Sequence, residues 1–455
     1  MNLVAFSLRS KGAHNFLRRL WTVFARFGLT ERRTARALQT LVATLRHYGA
    51  YPTFFIPAAV LRRHVSLLRQ IASSGAEVGI HGYVHNDYRT LTHQQQEEQT
   101  RLAIAVFRQN HIPFAGFRNP YLGWTEEALE IFASLGLTYE SNEAVIHDVI
   151  DLKAFPPRLC RGYEKSLRLF QAVPPSIYDL RPHCEGPLVR LPTSIPDDEM
   201  LFDRLRITEP GRIAAIWSTI MARIYALGGL YTLNLHPERG LLCQAALRSL
   251  LDYATSQPEP VWIARLEEIA HWWRQRCAFR FEISAAGPQR WRVCLLSSPR
   301  AQVQTKYLTV LARSGELAAK EDQSITREGL QRQEWLVEAA SCPAVALSPA
   351  TPPAVMAFLQ EQGYAVTRAS GEKASDYSLF LDLPDGLGTT PAQQRAQRRQ
   401  LVAQLEALSA PLLSFAPWPA PYRAALAISS DIDSVTIQDF FLRIIEVARA
   451  SRPKH

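Results

Sequence analysis

Six cysteines in 455 residues form no CxxC pair, so the chain offers neither a zinc ribbon nor a thioredoxin-like redox motif. Cys160, Cys184, Cys243, Cys277, Cys294 and Cys342 lie mostly in apolar contexts and read as reduced structural thiols. No apolar run reaches membrane-spanning length. Residues 1–9 lack the basic leader and long apolar core of a signal peptide, and a cytoplasmic location is the expectation. Beyond about residue 278 a glycine-rich phosphate loop is missing, so no nucleotide is assigned to that part. Charge is also modest: 51 Lys and Arg against 42 Asp and Glu give +9, spread along the chain. No binding motif or aromatic platform accompanies that charge, so nucleic acid is not an expected partner, whereas an anionic glycan or a membrane surface stays open.

Hydrophobic residues at 47% and charged residues at 20% describe a globular protein able to bury a core of normal size, and the length predicts two or three domains. Residues 2–8 are strand-like. Thr30 could cap a helix running to Tyr48, whose Leu38, Leu41, Val42 and Leu45 recur at helical spacing, and residues 51–56 read as the next strand. Further helices are expected over 126–135, 213–227 and 248–256. The repeating unit implies an α/β fold with a parallel sheet, closed as a β/α barrel over residues 1–275. From 278 to 415 the pattern changes to paired strands (279–283, 291–296), then strand, loop and helix (345–359), a strand (377–383) and a polar helix (394–408). This predicts a smaller α/β accessory domain. Residues 416–455 form a strand followed by a helix over 437–450. The basic, aromatic segment 16–27 reads first as a helix or loop packed on the barrel and second as a membrane-surface contact.

The chemistry concentrates in His81-Gly82-Tyr83-Val84-His85, entered from the apolar residues 76–80. Two imidazoles at i and i+4 after a buried strand can share one metal ion. Phe117-Arg118-Asn119-Pro120-Tyr121 follows a second apolar run. Leu233-Asn234-Leu235-His236-Pro237 ends a third.

HxxxH, then RxPY, then LxLHP, each after a short strand and in this order, resembles the polysaccharide deacetylase family (NodB homology, carbohydrate esterase family four). Residues 53–56 look like that family's second strand, and 260–273 like its last strand and helix. The resemblance implies a distorted, seven-stranded barrel. It implies His81 and His85 as ligands of a divalent metal, zinc first, with cobalt or nickel as alternatives. Arg118 would orient a catalytic aspartate, the backbone N–H of Tyr121 would help hold an oxyanion, and His236 would be the general acid.

The family's first motif, adjacent or near-adjacent aspartates after strand one, is missing: residues 5–10 read Ala5, Phe6, Ser7, Leu8, Arg9, Ser10. Two ligands hold a catalytic metal poorly, and an inward Arg118 without a carboxylate is a costly buried charge. An acid must come from elsewhere. The first source is Asp197-Asp198-Glu199 after the strand-like residues 187–192, with Asp197 as third metal ligand and Asp198 as base, against the plainer reading of an acidic turn capping a helix. The second is Asp431-Ile432-Asp433, at the end of the apolar run 424–430. Because residues 2–8 already supply a strand one, this segment reads as the start of a second deacetylase domain, or less readily as a strand docking both carboxylates into the site. Asp87 is expected to stabilise a turn. Glu140 and Glu143 stand near the family's fourth motif.

The function expected is metal-dependent removal of an acetyl group from an N-acetylated sugar or glycan precursor. The alternatives are hydrolysis of another non-peptide C–N bond, with a small amide as substrate, and a catalytically inactive glycan-binding pseudoenzyme.

Overall fold

The computed structural model describes residues 26–314 and 329–450. The strand expected at 2–8 and nearly all of the segment 16–27 lie outside these residues. Two compact units emerge. The first comprises Met1–Pro175, Glu185–Ile269 and Ala425–His455, and the second Ser176–Cys184 and Ala270–Ala424. The third domain expected over 416–455 is therefore not separate: from Ala425 onward the chain belongs to the first unit.

The first unit is built on a curled parallel sheet. Its strands are β1 (Thr53–Ile56), β2 (Glu77–Ile80), β3 (Gly116–Phe117), β4 (Tyr139–Glu140), β5 (Ala144–Ile146), β6 (Leu188–Arg190), β7 (Thr193–Ile195), β8 (Leu230–Leu235), β9 (Val261–Ile263) and β10 (Ala424–Asp431). They run in the order β5-β7-β8-β10-β1-β2-β3-β4-β6, with β9 also pairing with β10. Helices cover the sheet in the order the periodicity predicts. Arg32–His47 buries Leu38, Leu41, Val42 and Leu45 along one stripe; its N-cap is Glu31 rather than Thr30. Pro210–Leu227 starts on a proline and stops at Gly228, whose φ of 63° is the left-handed conformation that ends helices. No helix among the described residues is long and apolar enough to cross a membrane.

The last strand among the described residues occupies the middle of the sheet. β10 pairs in parallel with β1 (Thr53↔Ser429, Phe55↔Asp431) and with β8 (Ala425↔Leu230 through Ser430↔Leu235). All eight of its residues are buried, as suits a strand covered on both faces, which carries a continuous apolar run rather than an alternating one. Leu426 and Ile428 are at most 1% exposed, and each contributes roughly 1.5–3 kcal/mol of burial. The backbone N–H of Ile432 extends the pairing by donating to the Phe55 carbonyl at 2.8 Å. A strand late in the chain can hold this central place because a parallel sheet sets a strand's position by register and burial, not by chain order.

The second unit contains an antiparallel sheet (Arg280–Gly287, Arg290–Ser297, Gln331–Glu338, Thr309–Ser314) and a three-stranded parallel sheet with Cys342–Leu347 at its centre. Val345, Leu347, Val355, Phe358, Leu359, Leu401 and Leu405 form a core between the latter and its helices Pro353–Glu361 and Pro391–Ala407.

Candidate metal and catalytic site

Because the strands of the first unit run parallel, their C-terminal ends lie at one edge, and the residues that follow them converge. His81 follows β2, Arg118 follows β3, Asp197 and Asp198 follow β7, His236 follows β8, and Asp431 closes β10.

The turn after β2 depends on Gly82, whose φ is +80°. It turns His85 back beside His81, with ring centroids 5.2 Å apart. Asp433 completes this group: its Oδ1 lies 3.2 Å from His85 Nε2 and 3.5 Å from His81 Nε2. His81 Nδ1 donates to the Arg118 carbonyl at 2.7 Å, which fixes the ring with Nε2 facing the carboxylate. A proton or a cation can lie between an imidazole nitrogen and a carboxylate oxygen so placed. Asp433 Oδ1 and His85 Nδ1 are buried without a well-formed hydrogen bond. Burial lowers the His85 pKa, only partly opposed by the Asp433 charge. Asp433 is held well below the usual carboxylate range: burial pushes it up, and the His85 and His81 imidazoles with Arg443 outweigh that. A neutral imidazole beside an ionised carboxylate is the donor state a divalent ion requires, so His81, His85 and Asp433 fit a metal. Arg443, on the helix Ile437–Ala450, holds the other oxygen of Asp433 at 2.9 Å.

Arg118 is fully buried. Its Nη1 reaches Asp431 Oδ1 at 3.1 Å, Asn234 Oδ1 at 2.8 Å and Ser429 Oγ at 2.8 Å. Its Nε donates to the Ser141 carbonyl and its Nη2 to Ser141 Oγ, and its face covers the Phe55 ring at 4.4 Å. Asn234 donates to the second oxygen of Asp431 at 2.8 Å. Burial raises the Asp431 pKa, but the charge of Arg118, aided by His81 and His236, leaves it lowered. Asp431 is thus a fixed, ionised acceptor.

His236 sits between β8 and the helix Pro237–Thr255, where Pro237 starts the helix without losing a needed N–H. Asp198 holds it twice: Oδ1 meets Nδ1 at 2.6 Å, and Oδ2 accepts the backbone N–H at 2.8 Å. Burial lowers the His236 pKa, yet the Asp198 charge and hydrogen bond raise it well above the ordinary histidine value. The Asp198 contact therefore favours the protonated ring.

These contacts correct two expected roles. Asp197 does not join His81 and His85; it clusters with Asp198 and His236, and its Oδ1 caps the turn that follows by accepting Met200 N–H at 2.9 Å. Burial and the neighbouring Asp198 push its pKa up to about 7. Asp198 does not face Arg118 as a replacement base but orients His236. Both places foreseen for Asp197 and Asp198 are filled, by Asp433 and Asp431.

Tyr121 and Leu122 both have left-handed backbones (φ 59° and 55°), a conformation costing bulky residues of order 1–3 kcal/mol each. The Tyr121 ring packs edge-on against His85 at 4.7 Å. Asp87 stabilises its turn by accepting Arg89 N–H. Glu140 and Glu143 pair with the buried Arg190, whose guanidinium covers Trp124 at 4.0 Å. Sequence reading did not single out Ser141, Asn234, Ser429 or Arg443. A signal existed for two of them: Ser429 lies two before Asp431, and Asn234 two before His236. Each shares a strand face with a residue already chosen.

Residues 32–140 match the family model for polysaccharide deacetylase. This stretch contains His81, His85, Arg118 and Tyr121, whereas Asp198, His236, Asp431 and Asp433 lie beyond it. The structure is similar to that of a protein from Mycobacterium smegmatis assigned as a polysaccharide deacetylase (20% identity, 51% of this chain and 75% of that one, TM-score 0.41). It is similar also to Puue allantoinase (18% identity, 52% and 72%, TM-score 0.41). A CE4 family pseudoenzyme from Bacillus anthracis matches at 14% identity over 43% of this chain and 58% of that one, with a TM-score of 0.26. The match over residues 32–140 makes this stretch, with its HxxxH and RxPY motifs, similar to the polysaccharide deacetylase family.

Proposed function

We propose that the protein is a metal-dependent hydrolase that removes the acetyl group from an N-acetylated sugar or glycan precursor. One observation carries this reading: β10 brings Asp433 to the two histidines and Asp431 to Arg118, so that the acids missing near residue 9 are supplied from the end of the chain. His81, His85 and Asp433 would hold the ion, which when bound supplies Lewis-acid polarisation and an acidified water.

The remaining work falls to the chain's own groups. Asp431, kept ionised by Arg118, takes the proton of the attacking water. The Tyr121 backbone N–H donates to the carbonyl oxygen as charge builds on it. His236, kept protonated by Asp198, gives its proton to the departing amine. Arg118 and Asn234 fix the carboxylate so that it need not reorganise during the reaction.

The test is acetate release from N-acetylglucosamine and its short oligomers, using metal-replete protein and a His236→Ala variant of unchanged metal content. Release by the parent and its loss in the variant are expected. No release from any of these compounds, or equal release by the variant, would overturn the reading.

A further inference from the structure

In the second unit, Cys184 Sγ and Cys277 Sγ lie 3.0 Å apart. Both residues are partly exposed, and the chain separation is 93 positions. Two reactions suit a thiol pair beside a carboxylate: capture of a metal with Glu361 as third ligand, or oxidation to a disulfide. A tetrahedral zinc ion holding both thiolates at about 2.3 Å would spread the sulfurs to roughly 3.8 Å, whereas a disulfide asks only that they approach to about 2.05 Å. Glu361 Oε1 already accepts the Cys184 backbone N–H at 2.7 Å and the Trp273 indole N–H at 2.9 Å, which makes it a poor third ligand. The geometry favours covalent pairing over a metal.

Chain connectivity gives the pairing a consequence. The second unit is discontinuous: Ser176–Cys184 is separated from Ala270–Ala424 by Glu185–Ile269, which folds into the first unit. Cys184 is the last residue of the small piece, and Cys277 stands early in the large one. We propose that Cys184 and Cys277 form a disulfide under oxidising conditions, a covalent staple that ties the isolated segment Ser176–Cys184 to the body of its own unit.

With a small-molecule disulfide as oxidant, one cysteine loses its proton and attacks, releasing one small thiol and leaving a mixed disulfide. The second cysteine then displaces the other small thiol. Two protein thiols are oxidised, one small disulfide is reduced, and the two protons pass to the departing thiolates. The hydrogen bond to Cys277, burial and the Glu361 charge all push the Cys184 thiol up.

The experiment uses the full chain, reduced and then incubated with oxidised glutathione, followed by denaturation, alkylation, intact mass and peptide mapping. Four alkylated thiols of the original six, one peptide linking Cys184 to Cys277, and a higher melting temperature than the reduced protein are expected. Cys184→Ser should give no internal disulfide. The wild-type mapping needs no variant, so a misfolded Cys184→Ser protein leaves the test intact. No internal disulfide after oxidation, or one linking other cysteines, would overturn the proposal. So would cobalt binding by the reduced protein with thiolate charge-transfer absorption that Cys277→Ser removes.

Discussion

Arg118 and Asp431, 313 positions apart in sequence, form a buried ion pair at 3.1 Å although two strands of the sheet, β1 and β2, lie between the strands that carry them. Breaking such a pair from one side strands the other charge, which ordinarily costs about 3–5 kcal/mol. Asp431→Asn should cost less, since Arg118 keeps Ser429, Asn234 and Ser141 as acceptors. Its activity, however, should fall by roughly 10²–10⁴, the usual contribution of a general base. Acetate release measured beside urea unfolding separates the two effects, and a fall in activity that merely tracks unfolding would remove the base from Asp431.

The two acidic pairs make opposite predictions for metal content. Asp433→Asn and the double variant His81→Ala/His85→Ala should lose a near-stoichiometric divalent ion in elemental analysis, while Asp197→Asn should retain it. Arg443→Ala should lie between, because it frees one oxygen of Asp433 without removing a ligand. Retention by Asp433→Asn together with loss by Asp197→Asn would move the metal to the Asp197, Asp198 and His236 cluster.

Much of this arrangement could be read from sequence, and the reason for the rest is physical. His81, Arg118 and His236 each follow a recognisable apolar strand and keep their spacing to it, so their convergence followed from a parallel sheet alone. The helix Ile437–Ala450 and the paired strands around Arg280–Gly287 and Arg290–Ser297 were equally legible from periodicity. The placing of Asp431 and Asp433 was not. A strand buried on both faces carries an apolar run and no mark of its partner, and residues 2–8 offer a run of similar character. Choosing between them depends on the register of Thr53 against Ser429, a relation between two places in the chain that neither segment encodes by itself. Once Asp198 was seen as an acid near a strand end, its distance from Arg118 could not be read either. Only the fold shows that it faces His236.

That Asp198 contact predicts a pH signature. Its charge lifts the His236 pKa above the ordinary value despite burial, so the acid form is lost only as pH rises through the raised pKa. Asp198→Asn removes the charge and leaves burial acting alone, which favours the neutral ring. The alkaline limb of the kcat/KM profile should then move to lower pH, with activity reduced more at pH 8 than at pH 6. An unchanged alkaline limb in Asp198→Asn would mean that His236 is not the titrating acid.

The helix that follows Asp433 is fastened by a second charged group, and this bears on how firmly the site is assembled. Asp439, 1% exposed, accepts His64 Nε2 at 2.8 Å, Arg63 Nε at 2.6 Å and the Thr436 backbone N–H at 2.9 Å, while His64 Nδ1 faces Glu31 at 3.3 Å and Arg63 also pairs with Glu446. Burial lowers the His64 pKa, but Asp439 and then Glu31 leave it raised; burial raises that of Asp439, and His64, the Thr436 N–H and Arg63 leave it lowered. The raised His64 contributes stability in full below its unfolded pKa of about 6.5 and loses it as pH climbs through the folded value. The lowered Asp439 contributes in full above about 3.9 and loses it as pH falls through its own folded value. The two contributions coincide between roughly pH 4 and 6.5. His64→Ala should therefore destabilise the protein by about 1.5–3 kcal/mol at pH 6, the worth of a charged hydrogen bond, and by clearly less at pH 9. Hydrogen exchange of the helix Ile437–Ala450 should rise in the same pH order. An equal loss at both pH values would mean that His64 holds Asp439 by packing alone.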